Sequence, residues 1–488
     1  MVHLLTPKPP LISSQCSELH HFTPPVKPHF LGTDSKRIEK RKSSSVSGHR
    51  MRQLLLLIVS VLFANFAVSL SDKFSVANWG QLEADRFGAS VLFSVQGNVY
   101  PLGYFTVSIN IGNPPKIFEL DIDTGSDLTW VQCDAPCTGC TLPRDKQYRP
   151  HNNAVRCGEP LCAALVSPGQ VPCNNPNDQC DYEVEYADHG SSTGVLVRDL
   201  VPLRFVNGAF LTPNLGFGCG YEQRNGGLQP SSSIAGVLGL GRSEASIVAQ
   251  LSALGLVSNI IGHCLSGQGG GFLFFGGDLF PSSKMSWTPI LRTPGGNYSV
   301  GPAEVYYGGK AVGSEGLTLT FDSGSSYTYF NSKVYGAVEK LLKNDLKGKL
   351  RDEPEDETLP VCWKGTKAFK SVADVRNFFK PLALGFTNSK NQFQIPPEAY
   401  LIISKFGNVC LGISNGSQVG LGNDNLIGDI SMLDKIVIYD NESQRIGWAP
   451  ANCNKRPMKH GEQWLAGEFY PTQEKINIMT RERYTYNM

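Results

Sequence analysis

The stretch Phe118-Glu119-Leu120-Asp121-Ile122-Asp123-Thr124-Gly125-Ser126 runs from an alternating segment straight into a polar turn. Phe118, Leu120 and Ile122 share one face, which reads as a half-buried strand. The strand ends at Asp123. Thr-Gly-Ser then supplies a tight turn and two hydroxyls that can hydrogen-bond the turn or the carboxylate. One Asp-Thr-Gly-Ser is weak evidence, because such turns are mostly structural. Here the pattern returns. Leu317-Thr318-Leu319-Thr320-Phe321-Asp322-Ser323-Gly324-Ser325 again gives alternating strand, Asp, hydroxyl, Gly, hydroxyl. Two copies in corresponding places imply a duplicated unit, each half lending one carboxylate to a shared site.

A second element is also duplicated. Ile234-Ala235-Gly236-Val237-Leu238-Gly239 is an apolar run entering a glycine, and Leu426-Ile427-Gly428-Asp429 repeats it in the second half. Glycine suits a place where a Cβ would collide with a neighbouring backbone. Between the two aspartate motifs, Tyr182 to Leu196 alternates around the tip Ala187-Asp188-His189-Gly190, a hairpin signature. A hairpin of this kind can lean over a cleft and exclude water. His189 reads as a solvated tip residue.

With these motifs in hand, residues 95–455 resemble the pepsin-like aspartic proteases, and within them the cysteine-rich plant nucellin-like (nepenthesin-type) branch. The resemblance implies a mostly β, bilobal fold: two related β-barrel-like lobes, a cleft between them and a few short helices. It implies that Asp123 and Asp322 are the catalytic pair. Gly125, Ser126, Gly324 and Ser325 would support them or the substrate. Tyr186 would be the flap tyrosine, with Trp130 behind it. The family's usual Tyr-Gly-x-Gly is Tyr-Ala-Asp-His-Gly here, a departure that bears on flap geometry. The resemblance also implies a Cys362–Cys410 disulfide.

Composition fits such a reading. Lys+Arg is 44 against 43 for Asp+Glu, so charge argues for neither nucleic acid nor an anionic membrane as partner. Hydrophobic residues make up 41%, enough for a large core, and 51 Gly with 31 Pro punctuate many short apolar runs. Of 13 cysteines, only Cys16 precedes the hydrophobic segment at 54–64. The others form an even set (Cys133, Cys137, Cys140, Cys157, Cys162, Cys173, Cys180, Cys219, Cys264, Cys362, Cys410, Cys453), which favours disulfides in an oxidising compartment. Cys137-x2-Cys140 has zinc-like spacing. No His stands at matching spacing, and the surroundings are loop-like, so no metal and no cofactor is expected.

The chain divides as follows. Residues 1–50, whose acidic residues are Glu18, Asp34 and Glu39, read as a disordered extension. Residues 51–71 have a signal peptide's layout, with a basic start, a short apolar run and small residues after it. Its internal position fits a true start at Met51; a transit peptide or signal anchor are the alternatives. Residues 72–95 suit a short prosegment, 96–290 the first lobe with a cysteine-rich insert at 133–180, 291–455 the second lobe and 456–488 a polar tail. The sequons at Asn297, Asn415 and Asn441 fit entry into the secretory route. The expected destination is the cell exterior or the vacuole, with plastid or membrane anchoring as alternatives.

The function expected is a monomeric endopeptidase acting on protein or peptide substrates. The rival class is an inactive binding or inhibitor protein on the same fold. Relatives of that kind lack one aspartate, whereas both are present here.

Overall fold

The computed structural model describes residues 90–165, 175–224, 234–293, 296–313, 316–387, 389 and 392–457. The segments read as extension and signal, and most of the prosegment and of the polar tail, lie outside these. No helix among the described residues is long and apolar enough to cross a membrane.

The alternating segments form strands where the pattern places them. β1 (Val91–Asn98) and β2 (Tyr104–Ile111) pair antiparallel, and β2 pairs in turn with β3 (Lys116–Asp123). β1 also pairs with Gly271–Phe275 over residues 91–95. Residues 91–95, the end of the segment read as a prosegment, thus carry a ladder inside the sheet. β4 (Trp130–Gln132) follows the first aspartate loop. β5 (Asp181–Glu185) and β6 (Ser191–Leu200) make the hairpin expected between 182 and 196.

Among the described residues a 13-stranded sheet runs from Ser286–Pro289 at one edge to β5 at the other. A separate 8-stranded sheet holds Leu317–Phe321, and a small 4-stranded sheet holds Cys362 and Cys410 opposite each other. The two halves interlock through the larger sheet. The late hairpin Lys435–Asp440 and Arg445–Pro450 leaves the second half and pairs onto Ile260–Leu265 of the first. Helices are few and short, apart from Ser332–Leu346, capped by Asn331 accepting from Val334 N at 3.1 Å. The stretch 371–379 forms two separate 3₁₀ turns, Val372–Asp374 and Arg376–Phe378. Asp374 caps the start of the first by accepting from the Ser371 amide at 3.0 Å.

The disulfides brace this frame. Cys133–Cys219, Cys137–Cys140, Cys162–Cys180, Cys264–Cys453 and Cys362–Cys410 are bonded, and Cys157 is disulfide-bonded as well. The insert is thus stitched both within itself and, through Cys219, to the strand behind β4.

β3 differs from its half-buried reading. Its Phe118, Leu120 and Ile122 face the core, but Asp121 and Asp123 on the opposite face are buried too. A crossing strand flanks each aspartate-bearing strand. Gly236–Gly239 runs parallel to β3, with Gly239 beside Asp123, and Leu426–Ile427 runs parallel to Thr320–Phe321. The crossing is tight enough to need glycine. A Cβ on Gly428 would lie 2.0 Å from Tyr327 O and 2.5 Å from Ser325 O. Gly428→Ala is therefore expected to cost about 1–3 kcal/mol, read by urea denaturation. Gly336→Ala, whose Cβ meets only open space in the helix, should be neutral or stabilising. Equal effects for the two would show that the crossing tolerates a methyl group.

Candidate active site

The two aspartate loops meet through backbone chemistry that residue identity makes possible. Thr124 N donates to Ser323 Oγ at 3.1 Å, and Ser323 N donates to Thr124 Oγ1 at 2.9 Å. The hydroxyls then donate onward, Thr124 Oγ1 to Phe321 O (3.2 Å) and Ser323 Oγ to Ile122 O (3.0 Å). Each loop thus fills the other's buried donors and acceptors, and all four groups are out of water. The sequence predicted that these hydroxyls serve their own turn or carboxylate. They serve the opposite loop instead, because one residue past each aspartate is where the loops touch.

Asp123 and Asp322 flank this clasp, both at 0% exposure. Their near oxygens are held alike. Gly125 N donates to Asp123 Oδ1 at 2.8 Å and Gly324 N to Asp322 Oδ1 at 3.0 Å. The outer hydroxyls differ. Ser126 Oγ donates to Asp123 Oδ2, but Ser325 Oγ turns to Tyr327 O at 3.2 Å. The expected matched pair of supporting serines is therefore asymmetric. Ser325 closes its own turn, while its carbonyl accepts from Asp429 N at 2.7 Å.

The expected hairpin is present and brings Tyr186 to Trp130. Trp130 Nε1 donates to Tyr186 OH at 2.7 Å, and both rings are buried. Burial first, then the nearby Asp123 charge, pushes the Tyr186 phenol well above its ordinary value, so it stays a neutral donor. The tip without the usual glycines still closes. His189 takes a left-handed φ of 68°, Tyr186 N bonds Gly190 O, and Asp188 Oδ1 accepts from Gly190 N. His189 is exposed, as expected. Ala187 at the tip packs with Leu421, Leu426 and Tyr329 of the second half, so the hairpin reaches across.

Some site residues carried no sequence signal. Tyr439 sits under the clasp, its hydroxyl 3.0 Å from His263 Nε2 and bonded to Thr124. Burial lowers His263 to about 3, so it remains neutral. Asp121 and Asp429, each almost fully buried, bring two further carboxyls into the neighbourhood. Only their proximity to Asp123 and Gly428 in the motifs could have drawn notice to them. Chemically, the arrangement presents two fixed carboxyls, a neutral phenol above them and a backbone frame that leaves little freedom to either loop.

Comparison with known proteins places these observations. Family models described as "Xylanase inhibitor N-terminal" and "Xylanase inhibitor C-terminal" match residues 105–277 and 300–450. An aspartic proteinase of Oryza sativa subsp. japonica is 40% identical over 382 residues, covering 76% of this chain and 92% of its own. "Aspartic proteinase 39" of Arabidopsis thaliana is 26% identical over 444 residues, covering 82% and 87%. Among solved structures, an aspartic proteinase from Irpex lacteus aligns with TM-score 0.52 at 18% identity, covering 75% of this chain and 99% of that one. Basic 7S globulin from soybean aligns with TM-score 0.58 at 18% identity, covering 75% and 98%. These structural likenesses concern the fold.

Proposed function

The chain belongs to the pepsin-like aspartic protease family, and from that premise we propose that it is an endopeptidase using a water molecule held between Asp123 and Asp322. The single observation that carries this reading is the reciprocal Thr124–Ser323 clasp, which fixes both aspartate loops face to face. Two carboxyls close enough to share one water do not both stay ionised; pepsin, a member of this family, is the standard case of such a pair sharing one proton. They titrate as a unit. The ionised member takes a proton from water as the oxygen attacks the peptide carbonyl. The protonated member donates to the carbonyl oxygen. Collapse of the tetrahedral intermediate then returns a proton to the departing nitrogen. Ser126 and the Gly125 and Gly324 amides orient the carboxyls. Tyr186, kept neutral and anchored by Trp130, would cover the substrate backbone.

Because the mechanism needs one proton on the pair, activity is expected in acid. Full-length purified protein should cleave casein or a labelled peptide between about pH 3 and 6 and be inhibited by pepstatin-like statine peptides. A protein that cleaves nothing in that range, with both loops intact, is not an endopeptidase.

That outcome would favour a second reading, a pepsin-fold protein that binds or inhibits other proteins. One observation speaks for it: the matching family models are described by xylanase inhibitors, and a 7S globulin shares the fold. The two buried carboxyls, each with its glycine amide, favour catalysis.

Protein or peptide substrates follow from the protease relatives. The bonded cysteines fit passage through an oxidising compartment, in keeping with a secreted or vacuolar enzyme. Of the three sequons, Asn441 has its amide nitrogen committed to Asn259 Oδ1 (3.1 Å) and Tyr298 OH (3.0 Å), so Asn297 and Asn415 are the better acceptors.

A further inference from the structure

We propose that Tyr329, Leu421 and Leu426 of the second half form a latch on the tip of the 182–196 hairpin, and that this latch must release before a peptide chain can enter the site. The three act through the hairpin and are positioning residues. Control of entry presupposes the peptidase reading; the latch itself does not.

The latch grows out of the duplication. Trp130 lies seven positions past Asp123, and Tyr329 lies seven past Asp322. Each sits in a short strand antiparallel to its own crossing strand, Trp130 opposite Val237 and Tyr329 opposite Leu426. Trp130 holds Tyr186 by the 2.7 Å hydrogen bond. Tyr329 packs on the cluster that Ala187, the next residue of the hairpin, forms with Leu421 and Leu426. One aromatic from each half thus takes part in gripping the hairpin.

Ala187 is also where this chain leaves the family's usual Tyr-Gly-x-Gly. A glycine there would offer no side chain to pack, whereas alanine offers a methyl group, and Ala187 is buried. Its partners are well anchored. Leu421 rides on a loop closed on itself, with Leu421 N donating to Gly416 O and Asp424 N to Leu421 O, both at 3.0 Å. Leu426 belongs to the crossing strand and lies beside Thr320 of the aspartate-bearing strand. The tip therefore docks on the frame that carries Asp322.

The result is a bridge between the halves. The hairpin is rooted in the first half through the ladder from β6 to Asn214–Arg224, and it meets the second half at its tip. Each hold stands by one aspartate. Burial first, then the charges of Asp322 and Asp188, push the Tyr329 phenol up to about 12, as burial and then Asp123 raise Tyr186. With the bridge shut, neither Asp123 nor Asp322 has any exposure. A chain with bulk on both sides of its scissile bond enters beneath a bridge only when one pier lets go. The root is a long antiparallel ladder, while the tip is held by a methyl group, two leucines and a ring, so the tip is the pier that yields.

Backbone hydrogen exchange and peptide-cleavage kinetics are measured on the full-length protein, on Leu421→Ala and on Ala187→Gly. Leu421 lies outside the hairpin, so its truncation reaches residues 182–196 only through the contact. In Leu421→Ala, exchange in 182–196 should rise by about tenfold while the hairpin at 435–450 stays unchanged. A latched hairpin lowers apparent affinity by the fraction of molecules that are open, so kcat/KM should rise about threefold or more, carried by KM. Ala187→Gly, which removes only a methyl group, should act in the same direction on both. A contact that merely packs would lower stability without lowering KM. Unchanged or slower exchange in 182–196 in Leu421→Ala overturns the latch. Faster exchange with a kcat/KM that stays, falls or rises through kcat alone overturns its control of entry. A wild type without peptidase activity would remove the enzyme reading and leave the exchange rates to decide the latch. If Leu421→Ala does not fold, Ala187→Gly decides on the same two readouts.

Discussion

Asp123→Asn and Asp322→Asn each lose at least about 10³-fold in kcat/KM on a peptide substrate while keeping a folded, cooperative melt. The substitution is isosteric, so the Gly125 and Gly324 amides keep an oxygen to donate to. What it removes is the titrating proton. An amide at either position can neither take the proton from water nor share one. The effects should not add in the double variant, because either loss already stops the shared cycle. Cleavage retained within about tenfold by either purified single variant would refute the two-carboxyl mechanism.

Thr124→Val should be the next most damaging change, and it touches no reacting atom. Valine keeps the shape and deletes the hydroxyl. Ser323 N and Phe321 O then lose their partner inside a buried site. Leaving such groups unsatisfied costs about 1–3 kcal/mol each. The loops also lose the contact that sets their spacing, and a misplacement of about 1 Å can cost about 10² in rate. Urea denaturation and kcat/KM on the same preparation check both arms. Ser323→Ala should behave similarly, because it strips the mirror-image donor. If Thr124→Val kept wild-type stability and activity within about twofold, the clasp would not be what holds the loops in register.

Much of this was legible in the chain. The two Asp-hydroxyl-Gly-hydroxyl turns, each preceded by alternating apolar residues, announce their strands locally, and Gly428 after its apolar pair announces a close crossing. Trp130 and Tyr186 were legible as a pair only through the family resemblance, since nothing in their spacing requires contact across 56 positions. The direction of the Thr124 and Ser323 hydroxyls was not legible, because a hydroxyl at a turn has local partners available and only the assembled halves show the better ones. Ser325 was misleading for a related reason: it repeats Ser126 in sequence, yet its neighbour Tyr327 offers a carbonyl, whereas Ser126 turns to Asp123. Burial of Asp121 was hidden too. An acidic residue on the polar face of an alternating strand reads as solvated until the opposite half covers it.

The way the last hairpin threads back has a practical corollary for maturation. Cys453 closes onto Cys264, and the strands on either side of that bond lie in one continuous sheet. A protease that clips an exposed loop anywhere between these two cysteines leaves the fragments covalently joined and still zipped edge to edge. Such a nicked species would migrate as one band without reductant and as two with it, so a two-chain form on a reducing gel is compatible with an intact molecule.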